Sequence, residues 1–234
     1  MNLWEKGLGI LYPQTCCFCG KVSRESICSA CKKQVEYISE PRCKKCGKPI
    51  RQGTKEFCYD CEGKNTYYDQ GKNIWLHKGP VKRSIYEFKY KNRRIYGVCY
   101  AKEMYRLYQE KIREWGVTCI VPIPLYRKRK RNRGYNQAEI IAKHLGRLVG
   151  IKVDTRAVER IQNTKPRKEL GPKERKRSLQ HAFRIKKGWK CERSVLLIDD
   201  IYTTGSTIDC VAKVLKEYGV SKVWFLTISI GQGL

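Results

Sequence analysis

No stretch of the chain approaches the roughly 20 consecutive apolar residues that a membrane-spanning helix requires, so no membrane insertion is expected. Acid is scarce as well: 22 Asp and Glu stand against 50 Lys and Arg in 234 residues, a formal net charge of +28. Polyanions, nucleic acid above all, are the natural partners of such a surface. Histidine is scarcer still. His77, His144 and His181 are widely separated and form no H-E-x-x-H pattern, which argues against a catalytic zinc centre. No G-x-x-x-x-G-K-[ST] sequence occurs, so a nucleoside-triphosphate hydrolase is disfavoured. The N-terminal "MNLWEKGLGILYPQTCCFCG" has an acid inside its apolar part and no small-residue cleavage site. An exported protein is therefore not expected, and the reading is cytoplasmic.

Cysteine is abundant, at 13 residues. In a chain with no export signal, that number favours metal or reduced thiols over disulfides. Eight of the 13 fall into four C-x-x-C pairs: Cys16 with Cys19, Cys28 with Cys31, Cys43 with Cys46, and Cys58 with Cys61. Each pair presents two thiolates from one turn, and two pairs together make the tetrahedral four-sulfur cage that zinc prefers. A polar segment this short needs such a staple to fold. Two structural zinc ions are expected. The simplest ligation is sequential, with Cys16, Cys19, Cys28 and Cys31 on one ion and Cys43, Cys46, Cys58 and Cys61 on the other; spacing also permits an interleaved pairing. Cys17, Cys99, Cys119, Cys191 and Cys210 are left over and are expected as reduced thiols without a metal role.

A composition shift near residue 64 suggests a small metal-binding domain over 1–63 and a larger domain over 64–234. In the larger part "NIWLH" reads as a strand, and the spacing of Val81, Ile85 and Phe88 as a helix. "IYGVCYAKEMYRLYQEKI" reads as a second helix. Tyrosines fill much of these stripes; base stacking is open to them, but burial is what helical spacing favours. "TCIVPIP" is a strand running into a proline-fixed loop and is followed by the basic run "YRKRKRNRGYNQ". A helix opens at Asn136, with Glu139 three positions on and Ile141, Leu145 and Leu148 on one face, and ends at Gly150. "IKVDTRAVERI" follows as a strand. The charged, Pro- and Gly-containing segment 162–179 reads as a loop, "HAFRI" and "SVLLI" as strands, and 207–218 as a helix with Ile208, Val211, Leu215 and Tyr218 on one face. "SKVWFLTISI" then closes the sheet. Alternating strands and helices predict an α/β fold with a parallel sheet.

The stretch "VLLIDDIYTTGST", residues 195–207, sets Asp199 and Asp200 at the carboxyl end of a strand, where α/β sheets bind ligands. Thr203, Thr204, Gly205, Ser206 and Thr207 then stand at the start of a helix, whose orphan N–H groups and dipole favour phosphate. Capping that helix needs one acceptor, not two acids and four hydroxyls. A ligand with both an anion and vicinal hydroxyls fits, and a ribose 5-phosphate supplies both.

The stretch "LLIDDIYTTGST" resembles the phosphoribosyl-pyrophosphate (PRPP) motif of type I phosphoribosyltransferases. Over nearly the whole chain the cysteine pairs, "VPIPLYRKRKRNRGYNQAE", "ERKRSLQHAF" and the acid pair resemble the ComF family of competence proteins. That resemblance implies a double zinc ribbon followed by a type I phosphoribosyltransferase-like α/β domain, and a link to DNA uptake in naturally transformable bacteria. It implies that Asp199 and Asp200 hold the ribose hydroxyls, directly or with Mg²⁺, and that residues 203–207 bind the 5-phosphate. Pro122, Ile123 and Pro124 would form the pyrophosphate loop, with Arg129 and Arg133 neutralising the diphosphate. The 162–179 loop would be a closing lid, in which Arg167 and Ser178 stand where members often have glutamine and asparagine. The reaction implied is displacement of pyrophosphate at the anomeric carbon. A second function class remains: a non-catalytic PRPP-sensing protein, or one acting on single-stranded DNA or DNA-uptake proteins through its basic run and zinc module. The chain ends directly after its last strand, so no C-terminal hood is expected to recognise a base, which weakens the case for nucleotide salvage.

Overall fold

The computed structural model describes residues 15–50, 55–162 and 182–231. From residue 163 the expected lid lies outside them, together with Arg167, Ser178 and His181. Four parallel strands form the main sheet in the order β1, β6, β5, β2: β1 is Gln70–Leu76, β2 Cys119–Pro122, β5 Ser194–Tyr202 and β6 Lys222–Ile230. The helices are α1 (Ser29–Lys32), α2 (Gly79–Tyr90), α3 (Tyr96–Glu114), α4 (Arg127–Arg133), α5 (Gln137–Val149) and α6 (Ser206–Glu217). A separate antiparallel pair joins β3 (Val158–Arg160) to β4 (Phe183–Ile185).

The sheet is covered on both faces, which is why its strands read as near-continuous apolar runs. Alternate residues of β5 point to opposite sides. Leu196 and Ile198 pack with Val81, Ile85 and Phe88 of α2, Tyr100 and Met104 of α3, and Ile141 and Leu145 of α5. Val195 and Leu197 pack with Ile208, Val211 and Leu215 of α6. The α/β architecture with a parallel sheet is thus as the sequence predicts.

Several details differ. β6 does not close the sheet: it lies inside, between β1 and β5, and β1 takes the edge. The segment after Gly150 is only partly strand. Val153 bridges Ile120, but the Arg156 N–H then donates to the Asp154 side chain at 2.7 Å, a local turn that ends the pairing. Val158–Arg160 pairs instead with β4. Leu148 and Tyr218, expected on buried stripes, are exposed. Gly146 lies against Val153, leaving no room for a Cβ there, so α5 touches the sheet edge through Leu145 and Gly146 and Leu148 falls beyond it. Tyr218 turns its hydroxyl to the Trp189 carbonyl, 2.8 Å away. The basic run is a short helix, α4, six of whose seven residues are Lys or Arg; Gly134 ends it with φ +78°.

The cysteine segment covers the open edge of β1. The Ile38 N–H donates to Ile74 O at 3.0 Å and the Gly71 N–H to Lys45 O at 2.8 Å, so β1 presents no free ladder to other chains. Phe18 meets Trp75 edge-on at 5.2 Å. Buried Asn73 donates to Cys46 O at 2.7 Å and accepts from Thr227 at 2.6 Å, tying the second cysteine group into the sheet. One sequence expectation fails here: Cys17 and Cys99 are not separate thiols but are joined as a disulfide across 82 residues. Helix α3 brings Cys99 to the first cysteine loop, a proximity no local pattern announces.

Asp69 fastens the start of β1 to β6. It accepts from Val223 N at 2.9 Å, Lys216 at 2.8 Å and Lys222 at 3.2 Å. Burial acts to raise its carboxyl, but the hydrogen bonds from Lys216, Val223 and Lys222 outweigh that and hold it below the ordinary value of 3.8. Asp69→Asn should therefore lower stability by about 1–2 kcal/mol at neutral pH in urea unfolding. The native value lies below the unfolded one, so the contribution is complete above the unfolded value and vanishes as pH falls through the native one. Wild type and variant should accordingly converge in acid; a gap that persists unchanged there would show the effect to be steric.

Candidate functional site

Asp199 and Asp200 lie near the carboxyl end of β5, half-buried, and Asp200 N–H donates back to Asp199 Oδ1 at 2.9 Å. Their register is set by β6, where Asp199 pairs with Thr227. Asp200 is joined to Lys89 of α2 at 2.8 Å, both side chains mostly buried. Sequence reasoning missed Lys89, and only the fold brings it 111 positions along the chain to the acid.

The turn that follows is open. Thr204 is exposed, and Thr203, Ser206 and Thr207 are half-buried. The Thr204 and Ser206 hydroxyls lie 2.9 Å apart. Gly205, at φ +76°, is the N-cap of α6 and has no side chain of its own with which to cap that helix end. The first-turn N–H groups therefore face the turn with the favourable end of the helix dipole behind them. Beneath it, buried Tyr202 shares a hydroxyl hydrogen bond with Tyr68 at 2.8 Å and stacks on Phe225 at 5.0 Å.

The proline loop comes to the same end of the sheet. Pro122 closes β2, and the Ile123 N–H donates to Ile198 O at 2.9 Å, next to the acid pair. Asn136 holds the loop from the other side: its amide donates to Ile123 O at 3.0 Å while its side-chain oxygen accepts from Ala138 N at 3.1 Å as the cap of α5. Pro124 is half-buried. Along α4, Arg129 and Arg133, one turn apart, are half-buried whereas the other basic residues are exposed. Arg133 lies over the Tyr90 ring at 5.0 Å and bonds Gln137 at 2.5 Å. The end of α2 is thus a strut, with Lys89 meeting the acid and Tyr90 meeting the basic helix.

The cysteines form two separate groups, Cys16/Cys19/Cys28/Cys31 and Cys43/Cys46/Cys58/Cys61, and in each the four sulfurs lie within 4.8 Å of one another. Ligation is therefore sequential. Four mutually close soft sulfur donors match structural zinc. In the second group, hydrogen bonds from Cys46, Cys58 and Cys61 pull Cys43 far below the ordinary thiol range, and the same contact with Cys43 pushes Cys46 and Cys61 up. These sulfurs share protons that a divalent cation displaces. Cys119, by contrast, is pushed up to about 11 by burial and is an inert thiol at neutral pH.

A family model described as "Double zinc ribbon domain" matches residues 7–62. Competence protein F of Haemophilus influenzae is 31% identical over 211 residues, covering 86% of this chain and 89% of that protein. DNA utilization protein YhgH of Salmonella typhimurium is 26% identical, covering 88% of this chain and 91% of its own. Among solved structures, a purine phosphoribosyltransferase from Pyrococcus horikoshii aligns with 56% of this chain and 73% of its own, at 16% identity and a TM-score of 0.38. With cysteine groups, parallel sheet and near full-length similarity in agreement, the chain belongs to the family of Competence protein F, the ComF family.

Proposed function

We propose that the protein binds PRPP with Mg²⁺ at the carboxyl end of β5 and acts in the cytoplasm in DNA uptake or DNA handling, with phosphoribosyl transfer as the chemistry of the site. The observation that carries this reading is the acid pair, Asp199 and Asp200, beside the start of α6 at Gly205. Phosphate suits the N–H groups and hydroxyls of 203–207, and the carboxylates suit ribose hydroxyls. The acid pair also supplies the hard oxygen donors that Mg²⁺ takes, and the metal would offset diphosphate charge. Pro122, Ile123 and Pro124, seated against Ile198, would line the diphosphate, with Arg129 and Arg133 on the helix that follows. Lys89 pairs with Asp200; a sugar or metal taking that carboxylate would free the ammonium for another anion. The relatives' names, competence and DNA utilization, support the cellular role.

The exposed basic face of α4 favours a second reading, in which the pocket senses PRPP while the cationic surface grips nucleic acid. Calorimetry with PRPP and Mg²⁺ tests the shared premise: Asp199→Ala plus Asp200→Ala should abolish the binding heat of the wild type. Equal heats would remove both readings. Pyrophosphate release with candidate acceptors then separates transfer from sensing.

A further inference from the structure

A cavity of about 470 Å³ opens between α2 and the end of β5, a volume in the range of small-ligand sites. Its walls include His77, Lys82, Arg83, Tyr86, Lys89 and Tyr90, with Ile201 beside the acid pair. Among the described residues, no carboxylate lines it. Neither Lys82 nor Arg83 is paired with a carboxylate among the described residues. The tyrosines are the unusual part. Tyr96, Tyr100 and Tyr108 of α3 are buried, as helical spacing predicts, but Tyr86 and Tyr90 are 54% and 61% exposed. Val81, Ile85 and Phe88 already supply the core face of α2, so packing does not require the two exposed rings. They stand one turn apart with centroids 5.0 Å apart, and Arg133 lies over Tyr90.

Exposed aromatic rings interleaved with unpaired cations form the combination that stacks a base while neutralising its phosphate. We propose that this cavity binds an aromatic base joined to phosphate, a nucleotide unit, stacked on Tyr86 and Tyr90 with its phosphate at Lys82 and Arg83. Lys89 both lines the cavity and holds Asp200, so a bound base lies one side chain away from the acid pair. If PRPP occupies that pair, a base nitrogen not already bonded to sugar is the acceptor, its lone pair forming the bond to the anomeric carbon as the carbon–oxygen bond to pyrophosphate breaks. This last step rests on the proposed function; the binding itself does not.

The test uses the full chain and two probes: fluorescein-labelled oligo(dT) of twelve nucleotides, read by anisotropy, and AMP as its competitor. Tyr86→Ala plus Tyr90→Ala should weaken oligonucleotide binding about tenfold or more, and Tyr86→Phe plus Tyr90→Phe should restore it. Lys82→Ala plus Arg83→Ala should weaken it and lower the salt slope by about 1.4. An oligonucleotide carrying 5-iododeoxyuridine should crosslink to the peptide holding Tyr86 and Tyr90. Displacement by AMP would identify a free nucleotide as the source, and resistance to AMP a strand; both support the site. Wild-type affinity in the alanine pair, or crosslinks confined to other peptides, overturns it. PRPP calorimetry is scored separately: its failure with tyrosine-dependent base binding intact removes the PRPP reading alone, and the reverse pattern removes the cavity alone.

Discussion

A chain carrying Cys46→Ala should hold one zinc instead of two and unfold on the order of 10 °C or more below wild type, since structural zinc contributes many kcal/mol and each kcal/mol shifts a chain of this size by about 2–4 °C. The size of the effect comes from where that site sits. All four sulfurs of the second group are buried. Cys46 O accepts from Asn73, and Asn73 accepts in turn from Thr227 of β6. The loop also presses backbone to backbone on β1: a Cβ at Gly47, whose φ is +72°, would come 2.8 Å from Gly71 O. Losing the metal therefore frees the edge of β1 as well as the cysteine loop. The first group is built differently, with Cys19 exposed and Cys28 half-buried. Cys19→Ala should cost less, and a chelator should strip the first site before the second. Zinc content by mass spectrometry alongside a thermal melt decides the matter; two retained zinc ions and an unchanged melt in Cys46→Ala would show that the second cysteine group does not hold the fold.

What the sequence made legible is local. The strand ending in Asp199 and Asp200, the hydroxyl-rich turn, the start of α5 at Asn136 and the four cysteine pairs are all written within a dozen residues of themselves, in alternation, capping and metal spacing. Sulfur grouping was the least local of these, and sequential order was only the simplest of two choices until the loops were seen in place. The unread parts each join distant segments. Lys89 reaches Asp200, Tyr68 reaches Tyr202 and Cys99 reaches Cys17, and none of these pairings leaves a mark in the sequence around either partner. Periodicity also says which residues share a helix face but not where the neighbouring layer stops. Leu148 and Tyr218 continue good stripes past the point at which the sheet is there to cover them. The place of β6 inside the sheet was hidden for a related reason: chain order puts β1 first, and only the returning crossover sets it beside the last strand.

Gly205→Ala should destabilise the protein by about 2–4 kcal/mol in urea unfolding and, on the proposed function, abolish PRPP binding. Two independent causes add. The backbone at 205 has φ +76°, a left-handed conformation costing an L-residue about 1–2 kcal/mol. An added Cβ would also stand 2.3 Å from the Tyr202 hydroxyl and 2.7 Å from its ring. Tyr202 cannot swing aside cheaply, because its hydroxyl is bonded to Tyr68 and its ring is stacked on Phe225. The strain therefore falls on the turn itself, whose amides and hydroxyls are the proposed phosphate cradle. Tyr202→Phe separates the two causes, since it removes the atom nearest the new methyl and leaves φ untouched. In a double-mutant cycle the pair should be less destabilised than the sum of the singles by about 1 kcal/mol, with the remaining deficit belonging to the backbone. Full additivity would mean that the hydroxyl contact is irrelevant, and wild-type stability of Gly205→Ala would mean that the turn does not hold the left-handed form on which the open start of α6 depends.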